Sequence, residues 1–174
     1  MRLAALLLSG ALLASCASRP PVPGESPAPS PSLGRVPRHS PPPDQPLLRG
    51  DRDLIVMTAF AQVGKPYLYG GNGPEAFDCS GLVRYAYAVG GAKTPRTTAT
   101  LFVSGRSISA EEARPGDLFF YRLDPNRSAP SHVVVYLGDG EGIHAPSTGG
   151  QIRAVRLGIP YFSQRFVGAR RLLE

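Results

Sequence analysis

Proline is what most limits how this chain can fold. Residues 17–50 hold 11 prolines in 34 positions, with Ser and Gly among them and no aromatic residue. Such a stretch has too little apolar surface to offset the entropy of ordering it, so it builds no packed core. All seven Phe and all seven Tyr lie at or after Phe60. The core must therefore come from residues 51–174, enough for one independent domain and too short for two. The proline stretch reads as a semi-extended tether whose reach, at about 3.1 Å per residue in polyproline geometry, is at most roughly 100 Å. His39 lies in this tether and is read as solvated.

Charge narrows the partners. The chain carries a formal +6, but residues 51–174 hold 14 Lys+Arg against 11 Asp+Glu. A surplus that mild argues against a dedicated nucleic-acid binder, which needs a dense basic face. It is compatible with an anionic polymer or a membrane nearby.

The amino terminus reads as an export signal. Arg2 supplies the charge, and the apolar run LAALLLSGALLA at 3–14 is too short to span a bilayer as a helix. The run ends in Leu13-Ala14-Ser15-Cys16, which resembles a lipobox. That resemblance implies a signal peptide at 1–15, a lipidated Cys16 and a tether over 16–50. Ordinary cleavage near Ala14 or Ala17, with Cys16 left as a stray thiol, is the alternative. Two or three acyl chains make a stable anchor. Ala17 in place of Asp after the cysteine points, by the bacterial sorting rule, to the outer membrane and its periplasmic face. The expected location is thus the cell envelope, with the membrane reached through the lipid.

Only two cysteines are present. With Cys16 lipidated, Cys79 has no internal partner in a compartment that favours disulfides. It is either buried and inert or kept for its chemistry.

Residues 51–63 predict a helix capped by Asp51, with Leu54, Ile55, Thr58, Ala59 and Gln62 near one face and Gly64 as its stop. Residues 79–89 predict a second helix ended by Gly90-Gly91, and 97–104 a short third. The pattern then changes to strands: 118–121, 132–137, 143–145, 151–157 and 165–173. Helices first and consecutive strands after predict an α+β fold with an antiparallel sheet.

Asp78-Cys79-Ser80-Gly81 opens the second helix. Backbone N–H groups and the macrodipole at a helix start favour a thiolate and an ion pair with a histidine base. Gly81 permits close approach of another chain segment. Two histidines remain besides His39: His132 opens a Val-rich strand and His144 starts the next extended piece. On neighbouring strands they supply a base and a group to orient it. The residues alone favour a cysteine hydrolase. Zinc held by Cys79, His132 and His144 is the competing reading, although no CxxC or HxxxH spacing supports it.

The same residues resemble a family, the NlpC-type papain-like peptidases, which are bacterial cell-wall hydrolases. The matching stretches are Gly64-Lys65-Pro66-Tyr67 with Tyr69-Gly70-Gly71, FDCSGLV at 77–83, Pro95-Arg96-Thr97, RPGDLFFY at 114–121, SHVVVYLG at 131–138 and IHAP at 143–146. They run in family order and cover most of 51–174. The resemblance implies a papain-like fold, with N-terminal helices packed on a central antiparallel sheet. It implies Cys79 as nucleophile, His132 as general base and then acid, His144 as orienting group, and Tyr67 as an oxyanion donor. Asp78 and Ser80 are implied substrate-stem contacts, although Asp78 equally suits a helix cap. Tyr69 is read as structural, and Gly116-Asp117 as a turn at strand entry. Arg165, Arg170 and Arg171 are read as solvated or ion-paired, with contact to acidic wall polymer as the alternative. Loop 122–131 either shapes a cleft wall or is inert surface.

The implied function is a cell-wall endopeptidase acting on peptidoglycan stem peptides, at D-Glu–diaminopimelate or at a cross-link, with no metal or cofactor and as a monomer. Two other classes stay open at this point: a non-catalytic wall-binding or scaffold lipoprotein, and an amidase or acyltransferase acting on a substrate outside the wall.

Overall fold

The computed structural model describes residues 47–174. Cys16, His39, the export signal and nearly all of the tether lie outside the described residues.

Helix α1 (Arg52–Phe60) is capped by Asp51, whose carboxylate accepts from the Leu54 N–H at 2.9 Å. Ile55 and Ala59 are buried along its inner face, and Gln62 is buried in the turn that follows. Leu54, expected on that face, is 39% exposed, because the inward stripe is narrower than the periodicity suggested. The helix ends at Phe60 and a turn carries the chain to Gly64, where φ is +88°. Helix α2 (Cys79–Val89) has the predicted bounds, with Asp78 at its N-cap and Gly90 at its C-cap. Helix α3 (Thr98–Val103) is held by reciprocal capping between Thr97 and Thr100.

The sheet has six strands: β1 (Arg106–Ile108), β2 (Leu118–Tyr121), β3 (His132–Gly138), β4 (Glu141–His144), β5 (Arg153–Arg156) and β6 (Phe166–Arg171). Their order across the sheet is β1-β6-β2-β3-β4-β5, and every pairing is antiparallel. This is the α+β architecture the element order predicts. Two short elements carry no sequence signal: β1, three residues at the sheet edge, and helix α4 (Pro160–Ser163), one turn opened by Pro160.

Apolar side chains fill both sides of the central strands. Leu118, Phe120, Val133 and Val135 meet Ile55, Ala59, Val83, Ala86 and Tyr87 of the helices. The alternate residues Phe119, Tyr121 and Val134 meet Ile108, Leu157, Ala169 and Phe162 of α4. β2 is thus buried along its whole length, which explains its unbroken run of large apolar residues.

Gly116-Asp117 is the expected turn, with Gly116 at φ +86°, and it does more than admit β2. Asp117 is fully buried and accepts from both Arg52 (3.0 Å) and Arg171 (2.7 Å). Tyr87 donates to the Gly116 carbonyl at 2.6 Å. This cluster joins α1, α2, the turn and β6. Removing one charge from such a cluster costs about 3–5 kcal/mol, because its partner stays buried. Arg171 is therefore ion-paired as expected, whereas Arg170 is neither solvated nor ion-paired. It is buried, stacks 4.0 Å from the Phe102 ring centroid and donates to the Phe102 carbonyl at 2.7 Å. Arg165 packs over Tyr161 and donates to its carbonyl at 3.0 Å.

Packing at the N-terminal end starts before Asp51. Leu48 lies parallel to Leu173, receives Glu174 N–H at 3.2 Å and donates to the Leu172 carbonyl at 2.6 Å.

Candidate active site

Three elements converge on one cavity of about 700 Å³. The N-terminus of α2 brings Cys79, β3 brings His132 and β4 brings His144; Tyr67 of the preceding loop also lines it. The two histidines are buried, each 3% exposed. His132 Nε2 and His144 Nδ1 are 2.8 Å apart, and the rings meet edge to face. The arrangement follows from the register: β3 and β4 are adjacent and antiparallel, so the start of one lies near the end of the other. Phe162 closes the far side of the His144 ring, edge-on at 5.5 Å between centroids. His144 Nε2 is buried and has no partner among the described residues.

Electrostatics in the resting site differ from the expected thiolate–imidazolium pair. Burial pushes the Cys79 thiol above its ordinary value, and the Asp78 charge adds to this. Hydrogen bonds from Thr98 and from the Val133 and Ser80 N–H groups offset only part of the rise. Burial and the His144 charge lower His132 to about 3, and burial and the Arg153 charge lower His144 to about 4. At neutral pH the resting site is thiol and neutral imidazole. A helix start favours a thiolate, but the net direction at Cys79 is upward because desolvation of the half-buried sulfur is the largest influence on it.

The α2 side of the cleft is tightly cross-linked. Asp78 Oδ1 accepts from the N–H of Gly81 at 2.7 Å, from Ser80 at 3.2 Å and from Arg96 at 3.0 Å. Its Oδ2 accepts from the N–H of Gly70 at 3.0 Å and from Arg96 at 2.7 Å. Burial alone would raise the Asp78 carboxyl, but Arg96 and the Gly81 N–H hold it below the usual carboxylate range. Asp78 is thus the helix cap that the alternative reading allowed, and neither Asp78 nor Ser80 lines the cavity that holds Cys79. Gly81 must be glycine: a Cβ there would strike the Gly71 carbonyl oxygen. That contact is the close approach foreseen for it.

Tyr67 is fixed through its backbone, with its N–H on the Gly150 carbonyl at 2.8 Å and a bridge to Phe77. Its phenol is raised by burial and by the Cys79, Asp78 and Tyr69 charges, which sets it close to the thiol. Tyr69, read as structural, is 87% exposed and contributes nothing to the core. Leu123, Asp124 and Ser131 line the cavity, so loop 122–131 shapes a wall.

Sequence reasoning missed two groups here. Thr98 Oγ1 sits 3.5 Å from Cys79 Sγ. Its signal was its place at the start of α3, directly after Pro95-Arg96-Thr97. Arg96 was noted only as part of that stretch, yet it is the ion-pair partner of Asp78. Among the described residues no group of three or more His, Cys, Asp or Glu is placed to hold a metal ion.

Family comparison agrees with this geometry. Residues 64–171 match the NlpC/P60 family, more than half of the chain. The chain belongs to the NlpC/P60 family. Among its relatives, it is 45% identical over 116 residues to the probable endopeptidase YafL of Escherichia coli K12, covering 64% of this chain and 46% of that one. It is 40% identical over 116 residues to the murein DD-endopeptidase MepH of the same organism, covering 64% and 42%. The structure of an NlpC/P60 family protein from Bacillus cereus superposes with a TM-score of 0.67 at 30% identity, covering 75% of this chain and 42% of that one. The chain thus spans less than half the length of these relatives. Cys79, His132 and His144 all fall inside the NlpC/P60 match.

Proposed function

We propose that this chain is a cysteine endopeptidase that cuts peptidoglycan stem peptides. The observation that carries the reading is one cavity lined by Cys79, His132 and His144, with His132 Nε2 and His144 Nδ1 at 2.8 Å. Membership of the NlpC/P60 family and the murein DD-endopeptidase activity named for MepH support it.

In this reading His132 donates its Nε2–H to His144 Nδ1, which leaves His132 Nδ1 bare to take the Cys79 proton. A neutral resting pair suits general-base attack: proton transfer accompanies addition of sulfur to the amide carbonyl. The tetrahedral oxyanion is held by the Cys79 N–H and the Tyr67 hydroxyl; one such donor is worth about 10²–10³ in rate. His132 then protonates the leaving amine, and water releases the acyl-enzyme. The chemistry draws on protein groups alone. Asp78, Ser80 and Arg96 hold the start of α2, which carries Cys79. A lipid at Cys16 and a tether over 16–50 would station the enzyme, as a monomer, at the periplasmic face of the outer membrane.

The test uses the purified protein and its Cys79→Ala variant with sacculi and defined stem peptides, products being read by mass spectrometry. Fragments from the wild type only are expected, and their masses name the bond. Identical fragments from both proteins would move the nucleophile elsewhere. No fragments from a folded, reduced wild type would favour a scaffold role or a substrate outside the wall.

A further inference from the structure

Beyond the catalytic groups, the cavity carries one cation, Arg153. It is paired in register with His144 across β4 and β5. Register partners on an antiparallel pair share a face of the sheet, so Arg153 and His144 rise from the same face. Arg156, three residues on, belongs to the opposite face and pairs with Glu141 at 3.8 Å. The Arg153 side chain makes no hydrogen bond or ion pair among the described residues, whereas Arg52, Arg96 and Arg171 all engage carboxylates. The one acid lining the cavity, Asp124, is already occupied by the Asn126 N–H (3.0 Å) and by Arg127 (3.4 Å).

We propose that Arg153 anchors a carboxylate of the substrate residue seated at the β5 end of the cleft. An arginine is suited to this task, since its planar fork matches a carboxylate. Strands lie about 4.8 Å apart and an extended peptide advances about 3.3 Å per residue, so this anchor serves a residue within about two of the reacting bond. Val155, Ile159, Tyr161 and Phe162 complete the same end with apolar surface. The ligand class is therefore a peptide residue whose free carboxylate is carried on a hydrocarbon arm.

The Arg153 charge also reaches His144. Burial first, and the Arg153 charge second, disfavour a proton on its ring. The guanidinium is thus felt at the base pair with no anion beside it. A seated carboxylate neutralises that charge and makes the His132–His144 pair a better proton acceptor once substrate is bound.

This inference rests on the endopeptidase reading for the substrate's identity, but its test does not require cleavage. Full-length Cys79→Ala protein is titrated with stem peptides in which each carboxylate in turn is converted to the carboxamide. One amidation should weaken binding about tenfold, and adding Arg153→Gln should abolish that preference. Arg153→Lys should keep part of it, and Arg156→Gln, on the opposite face, should keep all of it. In the active protein, Arg153→Gln should raise KM more than it lowers kcat. Equal binding of every peptide to the Arg153 and Arg153→Gln proteins, or no binding to either, overturns the proposal. A carboxylate preference without cleavage would uphold the anchor and sink the peptidase. Cleavage by the wild type with no such preference would do the reverse.

Discussion

The two walls of the cleft are built on opposite plans. On the α2 side, Asp78, Ser80 and Arg96 bond one another and pin Gly70 and Gly81. On the β5 side, Arg153 stands without a partner, and Ile159 and Tyr161 are about half exposed. The first wall uses its polar groups to hold the start of helix α2 still. The second leaves them for something else to bind. Motifs that specify chemistry sit on the first wall, and residues suited to choosing a substrate sit on the second.

If that division is right, breaking the first wall costs most. Asp78→Ala removes the cap of α2 and orphans Arg96. Activity should fall at least 100-fold, and the melting temperature should drop by roughly 5–10 °C. Loss of activity with an unchanged melting temperature would instead make Asp78 a direct substrate contact.

A second test concerns the histidine floor between the walls. Folded His132 and His144 titrate near 3 and 4, below the ordinary 6.5. The unfolded chain therefore binds more protons between pH 6.5 and 3, and stability falls as the pH drops through that window. The melting temperature should decline by roughly 5–10 °C from pH 7 to pH 4.5. His144→Gln should flatten the slope, and an unaltered slope would place the titration elsewhere.

Next in size is Thr98→Val. It removes the hydroxyl from the Cys79 sulfur and should slow alkylation of Cys79 by iodoacetamide about threefold to tenfold at pH 8, with the pH profile moved upward. Thr98→Ser should restore it. Equal profiles for all three would make Thr98 a spacer. The smallest effect belongs to the second wall: Tyr161→Ala should raise KM about twofold to fivefold with the melting temperature unchanged. A clear thermal loss there would mean that this wall, too, is structural.

How far the sequence could be read follows the same division. α2 announces itself at both ends, through Asp78 and Gly90, and its bounds emerge unaltered. β2 and β3 are legible because burial on both faces demands uninterrupted large apolar residues. β1 and α4 were not, since three or four residues cannot display a period and both depend on partners distant in the chain. Cys79, His132 and His144 could be proposed because few residue types perform their chemistry. Thr98 could not be ranked above other threonines, and Arg153 resembled any surface arginine. Their importance is created by the fold that sets them beside a sulfur and an imidazole. The thiol's proton affinity is hidden for a related reason: a helix start is visible in sequence, whereas the depth of burial that raises it is not.

Leu48 carries a mechanical consequence. Its backbone bonds run to Leu172 and Glu174, and just beyond it Arg52 reaches the Leu173 and Glu174 carbonyls at 3.4 Å. A pull on the polypeptide ahead of Leu47 is thus resisted first by the last residues of the chain. The load passes through Arg171 of β6 to Asp117 in the turn before β2. In the proposed tethered arrangement, a tug at that end loads the Asp117 cluster before it reaches the cleft.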